Sequence, residues 1–207
     1  MLTPLTNRWR GPLLLALAPL FFSEKTMLEH ALKYASLGWA VFPCRPGDKI
    51  PATPHGCLDA TTDPDQIRAW WSEAPNCNIG LACGEPSGVV ALDLDARSGG
   101  TEFWAAALDD NGPLPEGVYE SQTGGGGTHY LFAWDGEPNY DIAPGVEIKS
   151  TGKYIVVPPS IHPNGTAYEW ELSSSPIEED EDTTQDADLA GGNDTTSASA
   201  IFGLVAA

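Results

Sequence analysis

Two carboxylates close an apolar run in Gly88-Val-Val-Ala-Leu-Asp93-Leu-Asp95. At i, i+2 spacing on a β-strand, Asp93 and Asp95 fall on one face. Like charges held side by side repel, and a divalent cation is the usual relief. A third acid, Glu147, stands in a comparable setting, Gly145-Val-Glu147-Ile-Lys149, and a glycine run leads into a histidine in Gly124-Gly-Gly-Gly127-Thr-His129-Tyr. An acid pair, a glycine turn, a histidine and a later acid point together to metal-assisted chemistry on a phosphate.

The elements that must carry these residues can be read from periodicity and punctuation. Leu28, Ala31, Leu32, Ala35 and Leu37 recur at the helical period, and Gly38 stops the helix. Trp39-Ala-Val-Phe42 reads as a short buried strand ended by Pro43, followed by a Pro- and Gly-rich loop, 45–57, that carries Lys49. Thr62-Asp63-Pro64 starts a second helix, with Thr62 or Asp63 as cap and Pro64 at its first position. Its apolar face holds Ile67, Trp70 and Trp71; core packing is the bland reading of the two tryptophans, base stacking the functional one. Strands are expected over 78–84, the acid-pair segment, 118–123, 129–134, 146–148 and 154–157, with an edge strand at 168–170 and a helix over 101–108. Helices come early and strands dominate later, which gives an α+β class with a mixed or antiparallel sheet.

Composition narrows the partners. The 207 residues hold 29 acids against 10 Lys and Arg, a formal charge of −19. Nine of those acids lie from Glu171 onward, where no base occurs, so the preceding segment carries 20 acids against 10 bases and stays at −10. Such a balance argues against tight non-specific DNA binding and asks for local or cation-dependent contacts. Cys44, Cys57, Cys77 and Cys83 form no C-x-x-C pair. Buried thiols are therefore favoured over a zinc site, although His55 beside Cys57 leaves a Cys/His site open. Residues 1–26 join Arg8 and Arg10 to an apolar stretch resembling a signal peptide, too short for a comfortable membrane span and lacking a clear cleavage site. The favoured reading makes them an extension outside the domain, with the start at Met27. The domain is expected over 27–172, and 173–207, rich in Ser, Thr, Asp, Glu, Gly and Ala, as an acidic disordered tail. No membrane partner is expected, and the location is cytoplasmic.

From Met27 to Trp170 the chain resembles a known family. The matching pieces are Ala31-Leu-x-Tyr34, Gly38-Trp39-x-Val-Phe-Pro43, Gly47-x-Lys49-x-Pro51 and Asp59-Ala-Thr-Thr-Asp63 with Ile67 and Trp70-Trp71. Asn78-Ile-Gly80 with Gly84, Asp93-Leu-Asp95, Thr123-Gly-Gly-Gly-Gly-Thr-His129, Gly145-Val-Glu147 and Tyr154-x-Val-Val-Pro-Pro-Ser160 follow in the family's order. They are similar to the bifunctional DNA primase/polymerase N-terminal domain of the archaeo-eukaryotic primase superfamily.

The resemblance implies a primase/polymerase fold, with an RNA-recognition-motif-like catalytic sheet and an appended small α/β unit. It implies templated nucleotide addition with Mg²⁺ or Mn²⁺ in a two-metal site. Asp93, Asp95 and Glu147 match the family's metal-binding acids, and His129 matches the histidine that contacts the incoming nucleotide's phosphates. Lys49 and Lys149 are the candidates for further phosphate contacts, and backbone N–H groups at Gly126 and Gly127 for a cradle. Expected partners are a DNA template and primer, (d)NTPs, and a separate helicase or replication initiator, because no G-x-x-x-x-G-K-[ST] motif occurs. Two departures stand out: the third acid is Glu where the family more often has Asp, and Gly127 replaces a small hydroxyl residue. The rival readings are a replication accessory that binds nucleotide or DNA without turnover, and an Asp-x-Asp phosphatase or glycosyltransferase.

Overall fold

The computed structural model describes residues 25–177. Helix α1 (Met27–Ser36) begins with a reciprocal capping box: Thr26 accepts from the Glu29 N–H while the Glu29 carboxylate returns to the Thr26 N–H. Thr26 is thus part of the fold, one residue ahead of the expected boundary; residues 1–24 of the expected extension lie outside the described residues. Helix α2 (Pro64–Glu73) is capped by Asp63, with Pro64 at its first position, and buries Ile67 and Trp71. Helix α3 (Gly100–Asn111) buries Trp104.

Among the described residues, nine strands form two antiparallel sheets. The smaller contains β1 (Val41–Cys44), β2 (Asn78–Ala82) and β8 (Tyr154–Val157) in the order β1-β2-β8. The larger contains β3 (Val89–Leu94), β4 (Tyr119–Gln122), β5 (Thr128–Ala133), β6 (Tyr140–Ala143), β7 (Val146–Lys149) and β9 (Glu169–Trp170), in the order β6-β7-β3-β5-β4-β9. The class is α+β with antiparallel sheets. Pro43 lies inside β1 rather than ending it, which an edge strand tolerates because one row of its backbone groups needs no ladder partner. Strand β6 was not anticipated: Tyr140-Asp-Ile-Ala143 is short, half exposed and at the sheet edge, so it carries little alternation.

Both faces of β3 are buried. Val89 and Ala91 join Leu131 of β5 in a core shared with α1, α2 and the smaller sheet, where Tyr34, Trp39, Ile67, Trp71, Ile79 and Val157 meet. Val90, Leu92 and Leu94 face the other way, onto Trp104 of α3, Phe132, Val146 and Ile148. Each such side chain taken fully from water contributes about 1.5–3 kcal/mol. Trp71 is core, its indole N–H donating to the Cys77 carbonyl at 3.0 Å, and Trp70 is partly buried against the same cluster. The ordered body also runs past residue 172: Ser174 accepts from the Glu120 N–H at 3.0 Å, and Ile177 is buried in the core. Residues 178–207 of the expected tail lie outside the described residues.

Candidate active site

Asp93 sits on the face of β3 that holds Val89 and Ala91, one step beyond the apolar core. Register then decides its neighbours. It pairs with His129 across β5 on one side and Glu147 across β7 on the other, so three groups separated by 36 and 54 residues stand in one row. His129 Nε2 lies 3.3 Å from Asp93 Oδ1. Lys149, two residues along β7 from Glu147 and therefore on the same face, puts its ammonium between the acids. It stands 3.1 Å from Asp93 Oδ2 and 2.7 Å from Glu147 Oε2. Lys153 approaches the other Glu147 oxygen at 3.5 Å.

These charges dominate the electrostatics. Burial by itself pushes the Asp93 carboxyl up; the hydrogen bond and charge of His129, with Lys149, outweigh it and hold Asp93 well below the usual carboxylate range. Burial likewise disfavours charge on Lys149, but Asp93 and Glu147 raise its value above that of a free lysine.

Asp95 is placed differently from the sequence expectation. Strand β3 ends at Leu94, and Asp95 caps a single 3₁₀ turn, Ala96–Ser98. Its carboxylate accepts from the Arg97 N–H at 3.0 Å and the Ser98 hydroxyl at 3.2 Å, and meets Arg97 Nε at 3.4 Å. Burial is opposed by these hydrogen bonds, which lower its proton affinity.

A single pocket gathers Asp93, Asp95, Lys49, Arg97, Thr123, Gly125, Gly127, His129 and His162. Each of the four turn glycines has its own reason. A Cβ at Gly124 would overlap the side chain of His162, and one at Gly127 would overlap the Leu94 carbonyl. Gly126 has φ +85°, in the left-handed region that the turn requires. A Cβ at Gly125 would come 3.2 Å from His162 Nε2. The expected cradle is different in detail: the Gly126 N–H donates to the Thr123 carbonyl at 2.9 Å, and the Gly127 N–H donates to Thr123 Oγ1 at 3.0 Å. Both donors are spent holding the turn. Lys49 faces the pocket, whereas Lys149 is engaged with the acids.

Sequence reasoning misses His162 and Arg97, and it reaches Thr123 only as the first residue of the glycine-run motif. Arg97 directly follows the acid pair, but a lone arginine in a loop carries no spacing signal; His162 follows Pro-Pro-Ser-Ile at a distance from every other site residue. Asn78 is the buried link between the loops that bring Lys49 and His162. Its amide donates to the carbonyls of Asp48 at 2.9 Å and Ile161 at 2.6 Å and accepts from the Ile161 N–H at 2.9 Å.

The disfavoured Cys/His alternative is not assembled among the described residues. Cys44, Cys77 and Cys83 are buried, and burial raises all four thiols, Cys44 and Cys83 to about 12. His55 pairs with Asp59 at 2.9 Å rather than with Cys57. Among the described residues no three His, Cys, Asp or Glu side chains stand close enough to hold a metal ion. No described helix is long and apolar enough to cross a membrane.

The family model for the bifunctional DNA primase/polymerase N-terminal domain matches residues 31–182. The chain belongs to this family. The match takes in both sheets and every residue of that pocket, and membership points to DNA primase/polymerase-type function with nucleotide and DNA binding. No curated protein matches the chain.

The carboxylates suit a hard divalent cation by donor chemistry. Asp93 and Glu147 converge on one cation, the Lys149 ammonium.

Proposed function

We propose that this prim-pol domain carries out templated nucleotidyl transfer on DNA, with Mg²⁺ or Mn²⁺, in the replication of a phage, plasmid or prophage element. One observation carries the reading: Asp93 and Asp95 line a pocket whose remaining wall supplies Lys49, Arg97, Thr123, His129 and His162, while Glu147, outside that lining, pairs with Asp93 across β7. Carboxylates beside cationic and hydroxyl donors match a ligand that is itself a phosphate chain carrying divalent cations.

In this reading the six-stranded sheet is the RNA-recognition-motif-like catalytic sheet, and α1, α2 and the smaller sheet are the appended unit. Asp93, Asp95 and Glu147 would hold the metal ions, which would supply positive charge to a primer 3′-hydroxyl and to the departing pyrophosphate. His129, the histidine matched to the phosphate contact, lines the pocket with its Nε2 paired to Asp93, and Lys49 and Arg97 neutralise phosphate charge. The negative balance of the chain calls for partners that keep it on DNA: a separate helicase or replication initiator, in the cytoplasm.

Primer extension with Mn²⁺ and dNTPs on a primed template tests the reading. Wild type should add nucleotides, and Asp93→Ala combined with Asp95→Ala should reduce addition by at least about a thousandfold. The accessory alternative draws on the absence of a preassembled three-ligand group among the described residues. It predicts that wild type binds dNTP and extends nothing. A phosphatase reading would make Asp93 the nucleophile and Asp95 the general acid, but the hydrogen bonds from Arg97 and Ser98 lower the proton affinity of Asp95.

A further inference from the structure

We propose that His162 is a second histidine donor to the phosphates of the bound nucleotide, acting through its Nε2–H from above the glycine turn. This rests on the nucleotide-transfer reading for the identity of the ligand. The geometry of the donor stands by itself.

His162 follows the segment Pro158-Pro159-Ser160-Ile161 after β8 and is only 8% exposed. Its Nδ1 accepts from the Asn164 N–H at 3.3 Å. A ring nitrogen that accepts carries no proton, so in the neutral ring the proton sits on Nε2. That nitrogen is the edge turned toward Gly125, and the ring lines the pocket shared with Asp93, His129 and Lys49. No described residue accepts a hydrogen bond from Nε2. A nearly buried ring therefore keeps a donor for something that enters the pocket.

The donor is held rather than merely present. The His162 N–H donates to the Thr166 carbonyl and the Gly165 N–H returns to the His162 carbonyl, each at 2.8 Å. Asn164 donates from its amide to the Gly124 carbonyl at 2.7 Å, tying this loop to the glycine turn. Upstream, Asn78 clamps both backbone groups of Ile161, and Ser160 Oγ accepts from the Ile79 N–H at 2.8 Å. Tyr168 stands between the two histidines, with ring centroids 6.2 Å from His129 and 6.1 Å from His162. Gly124 must lack a side chain for His162 to sit there at all. So many restraints on one ring mean that little ordering entropy is left to lose when an oxyanion arrives. The companions in the pocket choose that ligand: Lys49, Arg97 and Thr123 all donate, and a phosphate chain offers acceptors to each.

The test compares wild type, His162→Ala and His162→Gln for binding of dATP, inorganic tripolyphosphate and deoxyadenosine by calorimetry. His162→Ala should weaken dATP and tripolyphosphate alike, by about tenfold, with no effect on deoxyadenosine. His162→Gln, whose amide reaches near the Nε2 position, should recover most of the loss. In wild type labelled with ¹⁵N-histidine, tripolyphosphate should shift the Nε2 resonance of His162. Unchanged tripolyphosphate affinity in a folded His162→Ala, or an unmoved Nε2 resonance in wild type, overturns the proposal. If wild type extends no primer while tripolyphosphate binding still depends on His162, the polymerase reading falls and the donor assignment survives. If extension depends on Asp93 and Asp95 but the Nε2 resonance does not move, the reverse holds.

Discussion

Replacing Lys149 with methionine removes the cation between Asp93 and Glu147 while keeping most of the side chain's volume. Taking one partner from a fully buried ion pair costs about 3–5 kcal/mol, whereas exposed pairs are worth under about 1 kcal/mol. Lys149 is 17% exposed and its partners 26% and 30%, so the pair lies between these limits. Water and Lys153 would screen part of the remaining repulsion. A net loss of about 2 kcal/mol follows, which for a domain of this size lowers Tm by about 4–8 °C. The assay is thermal unfolding followed by circular dichroism at low salt and neutral pH, with and without Mn²⁺. Without metal the Met variant should melt below wild type. With Mn²⁺ it should recover more than wild type gains, because a cation that binds only the folded acids stabilises by mass action. A Met variant as stable as wild type in metal-free buffer would refute the reasoning, since the ammonium would then not be what neutralises the two carboxylates.

Three further outcomes are expected. Asn78→Ala leaves the Ile161 N–H and the Asp48 and Ile161 carbonyls without their partner; urea unfolding should show a loss of about 2–3 kcal/mol, and dNTP affinity should fall as both pocket loops loosen. Asp93 has a folded value below its unfolded one, so the unfolded chain binds more protons between the two. Its stabilisation is full above about pH 5 and is lost as pH falls through the acid range, and urea unfolding from pH 6 to pH 3 should show a steeper loss for wild type than for Asp93→Asn. In primer extension, Asp93→Ala with Asp95→Ala should abolish addition while circular dichroism reports an unchanged fold.

Much of the fold was legible because it rests on local chemistry. Asp63-Pro64 starts α2 by capping and a preset φ, and the periodic apolar face at Leu28, Ala31 and Leu32 marks α1. Where local signals conflict or fade, the sequence misleads. Pro43 reads as a strand stop until its edge position is known, and Tyr140–Ala143 has too little burial to alternate. Asp95 looks like a second strand carboxylate because i, i+2 spacing takes no account of where the ladder ends.

The sequence by itself determined the donor types: the acids at 93, 95 and 147, the histidine after a glycine turn, and the order of motifs that marks the family. Those depend on residue identity and short spacing, which the chain carries openly. Tertiary structure decided how they are used. Strand register put His129 and Glu147 on either side of Asp93 and brought Lys149 between the acids. Packing of two sheets closed the Lys49 and His162 loops around Asn78 and made the glycine run a seat for His162, with the Gly126 and Gly127 N–H groups spent on the turn. Pairings across tens of residues are set by which apolar faces bury each other, and no spacing within one segment records that.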